Sequence, residues 1–112
     1  MDEDALKAFR ARLEAALDAL ESEDAMGAEA RKVVTLDQQS VGRLSRMDAL
    51  QGQAMAKATQ ARRAAARQRI MAAFARMDEG EYGYCIECGE EIAPARLELD
   101  PTAATCISCA RG

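Results

Sequence analysis

Four cysteines stand in two pairs of identical spacing, Cys85-Ile86-Glu87-Cys88 and Cys106-Ile107-Ser108-Cys109, with seventeen residues between Cys88 and Cys106. They are all the cysteines of the chain, and it has no histidine to compete with them as a ligand. Two residues between thiols let one tight turn aim both sulfurs at a single ion, and Gly89, just after the second thiol, can take the positive φ that closes such a turn. Two knuckles of this kind offer four soft, anionic donors to a tetrahedral ion, which favours one Zn²⁺, with iron as its competitor. A site with four protein ligands has no open position, so its expected role is structural and no metal-bound water is expected. Two disulfides or a redox dithiol are the other readings of the same residues. The first would suit a secreted chain, yet no signal peptide is recognisable, and the second would want a βαβ context that is missing.

The composition says what such a site must hold together. Among 112 residues there is no Trp, and only two Phe and two Tyr, so the chain has little with which to fill a thick core. Paired helices stapled by a metal module suit it better, since metal binding supplies on the order of 10 kcal/mol of folding free energy. No apolar run approaches the roughly 20 residues needed to span a bilayer. Reduced, metal-spaced cysteines without a targeting segment point to the cytoplasm. Charge is segregated beneath a net value of −4: residues 1–24 carry eight acids against Lys7, Arg10 and Arg12, residues 49–77 carry Lys57 and five arginines with no acid, and residues 78–100 carry eight acids against Arg96 alone. An acidic finger is a poor phosphate-binding surface.

Helical periodicity fills the region before the cysteines. Leu6, Phe9, Leu13, Ala16, Leu17 and Leu20 recur in steps that mark one stripe of a first helix, from Asp2 to about Glu23, with two further turns available through Lys32. Val33-Val34-Thr35 interrupts the helical character, and Thr35-Leu36-Asp37-Gln38 fits a capping box that would open a second helix. From Ser40 to about Met77 the apolar positions Val41, Leu44, Met47, Leu50, Ala54, Ala58, Ala61, Ala65, Ile70, Phe74 and Met77 follow an approximate stripe, and about 40 residues of helix make a rod of roughly 60 Å. The alanines at 54, 58, 61 and 65 are expected to face the acidic first helix at close approach. The expected fold is therefore mostly α: an antiparallel coiled-coil helical hairpin over residues 1–78, with its tip near 33–40, followed by a four-cysteine zinc finger over residues 79–112. Gly80 is expected to end the long helix, and Pro94 to begin a short one reaching about Leu99.

Tyr82-Gly83-Tyr84-Cys85-Ile86-Glu87-Cys88-Gly89-Glu90-Glu91-Ile92, then Arg96-Leu97-Glu98, Pro101-Thr102-Ala103 and Cys106-Ile107-Ser108-Cys109 resemble the zinc finger of the DksA/TraR family of bacterial transcription factors. The match covers about 28 consecutive residues in register, which makes it far more specific than the paired cysteines alone. The resemblance implies a regulator that binds RNA polymerase rather than DNA, as a monomer, inserting a coiled-coil hairpin through the secondary channel so that an acidic tip acts near the active centre. Carried over to this chain, the tip contacts are Asp37, Ser40 and Arg43, where well-known members have Asp-x-x-Asp-x-Ala and this chain has Asp37-x-x-Ser40-x-Gly42; Asp48 is the other acid in reach. The alarmone ppGpp is the co-effector the resemblance implies. Arg62 and Arg69 are its candidate contacts, while Asp100 stands where ppGpp-binding relatives have a basic residue.

Each of these has a plainer reading. Asp37 beside Thr35 could simply favour a helix start, worth about 1 kcal/mol. The arginines from Arg62 to Arg76 could be a solvated helical face, and Tyr82 and Tyr84 are expected to pack around the knuckle and the helix base. A nucleic-acid-binding zinc ribbon, a structural adaptor and a rubredoxin-like electron carrier are the alternative functions. An enzyme is not expected, because no nucleophile–base constellation is visible.

Overall fold

The computed structural model describes the backbone of residues 1–37 and 43–111 and the side chains of residues 1–26 and 46–111. Its elements are α1 (Glu3–Asp37), α2 (Arg43–Asp78), α3 (Pro94–Leu99) and α4 (Ile107–Ala110). Among the described residues the only extended pairing is a single antiparallel bridge between Tyr84 and Glu91. The chain is thus mostly α, a helical hairpin followed by a small cysteine-bearing module. No described helix is long and apolar enough to cross a membrane.

Helix α1 opens on Asp2, whose carboxylate accepts from the Ala5 N–H at 2.7 Å and so satisfies one of the amides a helix start leaves unpaired. It then runs on well beyond the expected boundary, through Val33-Val34-Thr35 to Asp37. β-Branched residues cost a helix only a few tenths of a kcal/mol each, too little by themselves to stop one. Thr35 accordingly lies inside α1 and does not open α2, which begins at Arg43. The end of α2 is as the sequence leads one to expect. Gly80 takes φ +75°, its N–H donates to Met77 O at 3.2 Å, and the Glu81 N–H donates to Arg76 O at 2.8 Å, the paired bonds of a Schellman stop.

Two compact units can be described. The first comprises Met1–Leu17 and Arg67–Gly112, and the second Asp18–Ala66. Every fully buried apolar side chain among the described residues belongs to the first: Phe9, Leu13, Ile70, Ala73, Met77, Tyr82, Cys85, Ile92, Leu97 and Ala103. Phe9 and Tyr82 meet ring to ring at 5.9 Å, and Arg10 pairs with Asp78 at 3.1 Å. Among the described residues of the second unit none is fully buried. Its seam on α2 consists of Ala49, Ala56, Thr59, Arg63 and Ala66, all half-buried.

These positions overturn the expected stripe from Met47 to Ala65, while Ile70 and Met77 are buried and Phe74 half-buried as it predicts; the side chains of Val41 and Leu44 lie outside the described residues. Counting back from Met77, the inward residues of α2 are Ala73, Ile70, Ala66, Arg63, Thr59, Ala56 and Ala49, with Gly52 in the same register. Alternating steps of four and three define a heptad seam. Ala54, Ala58, Ala61 and Ala65 are exposed, as are Met47 and Leu50, each at 64%. α2 therefore carries two apolar stripes on opposite sides, and the one with the larger side chains at its start faces solvent. On α1 the expected stripe holds except at Ala16, which is exposed, and it continues to a half-buried Asp24.

Candidate metal centre

The first knuckle is built by backbone bonds that the sequence permits. Cys85 N–H donates to Glu90 O at 2.8 Å, Gly89 N–H returns to Cys85 O at 2.9 Å, and Gly89 adopts φ +76°, a conformation in which a Cβ would be strained. The second knuckle is laid against it. Ile86 N–H donates to Ala104 O at 2.9 Å, and Cys106 leads into α4, whose Ala110 N–H bonds Cys106 O at 2.9 Å. This short helix was not legible beforehand.

Together the knuckles bring the Sγ atoms of Cys85, Cys88, Cys106 and Cys109 to within 4.8 Å of one another. Cys88 and Cys106 are 3.7 Å apart, close to the roughly 3.8 Å edge of a tetrahedron built on Zn–S bonds of about 2.3 Å. The acid–base chemistry of the sulfurs fits a cation as well. Backbone N–H groups of Cys106, Cys88 and Glu87 stabilise the Cys85 thiolate against the opposing effect of burial and bring its pKa down to about 6. At Cys88 the Glu90 N–H favours the thiolate, yet the sulfurs of Cys85 and Cys106, with burial, outweigh it and push the thiol up. Cys109 is raised further by the sulfurs of Cys106, Cys85 and Cys88. The Cys85 sulfur is ready to ionise while those of Cys88 and Cys109 resist, because neighbouring thiolates repel; a divalent ion would supply the missing charge and hold all four as thiolates. The site fits one structural zinc.

A second layer holds the segment that returns from α3 to Cys106, and sequence reasoning missed most of it. Four side chains donate to backbone carbonyls along this segment: Arg12 to Glu98 O at 2.8 Å, Tyr82 Oη to Pro101 O at 2.7 Å, Arg76 to Thr102 O at 3.3 Å and Arg96 Nε to Thr105 O at 2.8 Å. Asp100 tightens the same loop by accepting from the N–H and hydroxyl of Thr102 at 3.0 and 2.6 Å. Carbonyl partners leave no mark in sequence. Only the apolar setting of Tyr82 was readable, and it is indeed buried, whereas Tyr84 is 42% exposed.

Burial raises the Tyr82 hydroxyl from an ordinary pKa of 10.0 to about 12, against the opposing pull of Arg76 and Arg12. The folded state therefore holds this proton more tightly than the unfolded chain. The corresponding stability is present in full below pH 10 and is lost as the pH rises toward 12. Tyr82→Phe should cost about 1 kcal/mol at neutral pH by orphaning Pro101 O. It should also flatten the decline in melting temperature that the zinc-loaded wild type shows between pH 10 and 12. Equal alkaline slopes for the two proteins would contradict this assignment.

The other expected site residues are not gathered here. Arg62 and Arg69 are exposed, seven residues apart on α2, and Arg62 donates to Thr59 Oγ1 at 3.1 Å. Asp48 is exposed on the same helix. Asp37 is the last residue of α1 and Arg43 the first of α2. Their side chains, and the whole of Ser40, lie outside the described residues.

Comparison with known proteins agrees with the geometry. Residues 80–112 match the prokaryotic dksA/traR C4-type zinc finger. Curated relatives named RNA polymerase-binding transcription factor DksA align over part of the chain: 48% identity over 42 residues in Haemophilus influenzae, covering 38% of this chain and 29% of that protein. For Escherichia coli the identity is 40% over 42 residues, with 38% and 28% covered, and for Caulobacter vibrioides 54% over 35 residues, with 31% and 25% covered. The aligned stretch thus spans less than a third of these relatives. The solved structure of transcription factor DksA2 from Pseudomonas aeruginosa superposes with a TM-score of 0.85 at 24% identity, over 98% of this chain and 83% of that one, a likeness of fold. The four-thiolate site thus lies in a dksA/traR C4-type zinc finger, carried by a helical hairpin whose fold is like that of DksA2.

Proposed function

We propose that this protein is a cytoplasmic, monomeric transcription regulator that binds RNA polymerase, entering its secondary channel with the tip of a hairpin formed by residues 1–78, while the finger at 79–112 fixes the hairpin base. The observation that carries the reading is the pairing of a DksA2-like fold along nearly the whole chain with a finger whose relatives are named for polymerase binding. Asp37, Ser40 and Arg43 are the proposed tip contacts. The helix ends favour this for two of them. A carboxylate at the C-terminus of α1 and a guanidinium at the N-terminus of α2 both oppose the helix dipole, so neither residue is explained by helix stability. The exposed Arg62 and Arg69 are the proposed contacts for ppGpp.

Electrostatics speaks against the nucleic-acid reading. All eight acids between Asp78 and Asp100 are exposed, and the one arginine among them, Arg96, is engaged with Thr105 O. Immobilised protein should retain core RNA polymerase from purified subunits, shift no duplex DNA of promoter sequence, and alter multi-round transcript yield, with a second series containing ppGpp testing the co-effector. Retention of duplex DNA without retention of polymerase would replace this reading with the zinc-ribbon one.

A further inference from the structure

The second unit contains the helix ends from which the proposed tip departs, and its described residues offer little that defines how its two helices align. None of its described residues is fully buried, and its α2 seam of Ala49, Ala56, Thr59 and Ala66 offers only small groups. Small, similar side chains permit several registers of nearly equal packing energy. An ion pair between described residues of the two helices discriminates between such registers. Arg63 occupies a seam position, four residues after Thr59 and three before Ala66, with its side chain 15% exposed. Its Nε donates at 2.6 Å to Oδ1 of Asp24, itself 29% exposed.

We infer that Asp24 and Arg63 are a positioning pair that fixes the register of α1 against α2 in this unit, and through it the placement of Asp37 and Arg43. Among the described inward residues of α1, which are Leu6, Phe9, Leu13, Leu17, Leu20 and Asp24, only Asp24 is an acid. A shift of one heptad, about 10.5 Å, would carry Arg63 to the register position of Leu17 or of Arg31, neither of which is an acid. A partly buried charge pair of this kind adds little net stability but penalises every alignment that separates it. The pairing stands on the geometry; its consequence for activity rests on the polymerase reading.

The test uses full-length, zinc-loaded protein in four forms: wild type, Asp24→Ala, Arg63→Ala, and the exchanged pair Asp24→Arg with Arg63→Asp. Zinc content of one per chain verifies a folded finger in each. Methyl NOEs from Leu20 report the register: to Ala66 in the alignment that pairs Asp24 with Arg63, and to Thr59 or Ala73 after a shift of one heptad. The single variants should show an altered or doubled NOE set and an effect on transcript yield about tenfold weaker at equal polymerase occupancy. The exchanged pair should recover the wild-type set and most of the effect. A single wild-type NOE set in both alanine variants would overturn the inference. Altered NOEs rescued by exchange, in a series where even wild type leaves transcription unchanged, would sustain the positioning pair and sink the polymerase reading instead.

Discussion

Replacing Cys88 by serine should empty the metal site and unfold residues 80–112. The effect is expected to be large because the site has no ligand to spare. Three thiolates and a hydroxyl bind zinc far more weakly than four thiolates, and structural zinc contributes on the order of 10 kcal/mol, comparable to the whole stability of a small domain. What remains is too small to compensate. Ile92, Leu97 and Ala103 are the buried apolar residues of the module itself besides Tyr82 and Cys85, and Leu97 is the one large side chain there that is essentially sealed from solvent. Losing the module also strips Tyr82 from Phe9 and frees Arg12, Arg76 and Arg96 from their carbonyls, so the helix base loosens with it. Elemental analysis should find one zinc and no iron per wild-type chain and no stoichiometric metal in Cys88→Ser. Amide dispersion around Gly89 should collapse in the variant. A variant that keeps zinc and a folded finger would refute the closed four-thiolate site, and iron in the wild type would revive the electron-carrier alternative.

What could be read from sequence was what neighbouring residues decide between themselves. The CxxC turns, the positive φ of Gly89, the stop at Gly80 and the start of α3 at Pro94 all depend on a few adjacent residues, and each stands where the residue types put it. Reading failed where a partner chooses. The heptad seam of α2 passes through Gly52, Thr59 and Arg63, residues that look polar or neutral, while the opposite face carries Met47, Leu50 and a row of alanines that looks like a core. Periodicity detects both stripes and cannot say which one α1 covers. Length misled as well: Val33 to Thr35 were given the power to end a helix that runs on to Asp37, although their helix propensities cost only a few tenths of a kcal/mol each. In the metal centre the ligands were legible to the residue, but their supports were not. Arg12 and Arg76 are far from the cysteines in sequence, and what they bind is main chain, which every residue possesses.

Asp37→Ala should leave polymerase capture intact and abolish the effect on transcription, without weakening the fold. The extended α1 sharpens this expectation. Had Asp37 opened a helix, its removal would cost about 1 kcal/mol through a lost cap, and any loss of activity would be confounded with loss of structure. As the final residue of α1 it opposes the negative end of the helix dipole, an arrangement that typically costs 0.3 to about 1 kcal/mol, so alanine should hold or slightly raise the melting temperature. Stability and activity are then predicted to move in different directions, which a purely structural role cannot produce. Asp48→Ala is the matched control, since that acid is exposed on α2 beyond its first turn, and it should behave as wild type in both measurements. A multi-round transcription assay at saturating protein, with melting curves on the same samples, decides the matter. Wild-type activity in Asp37→Ala together with loss in Asp48→Ala would transfer the tip function to Asp48. Loss of activity accompanied by a lower melting temperature in Asp37→Ala would return the residue to a structural role.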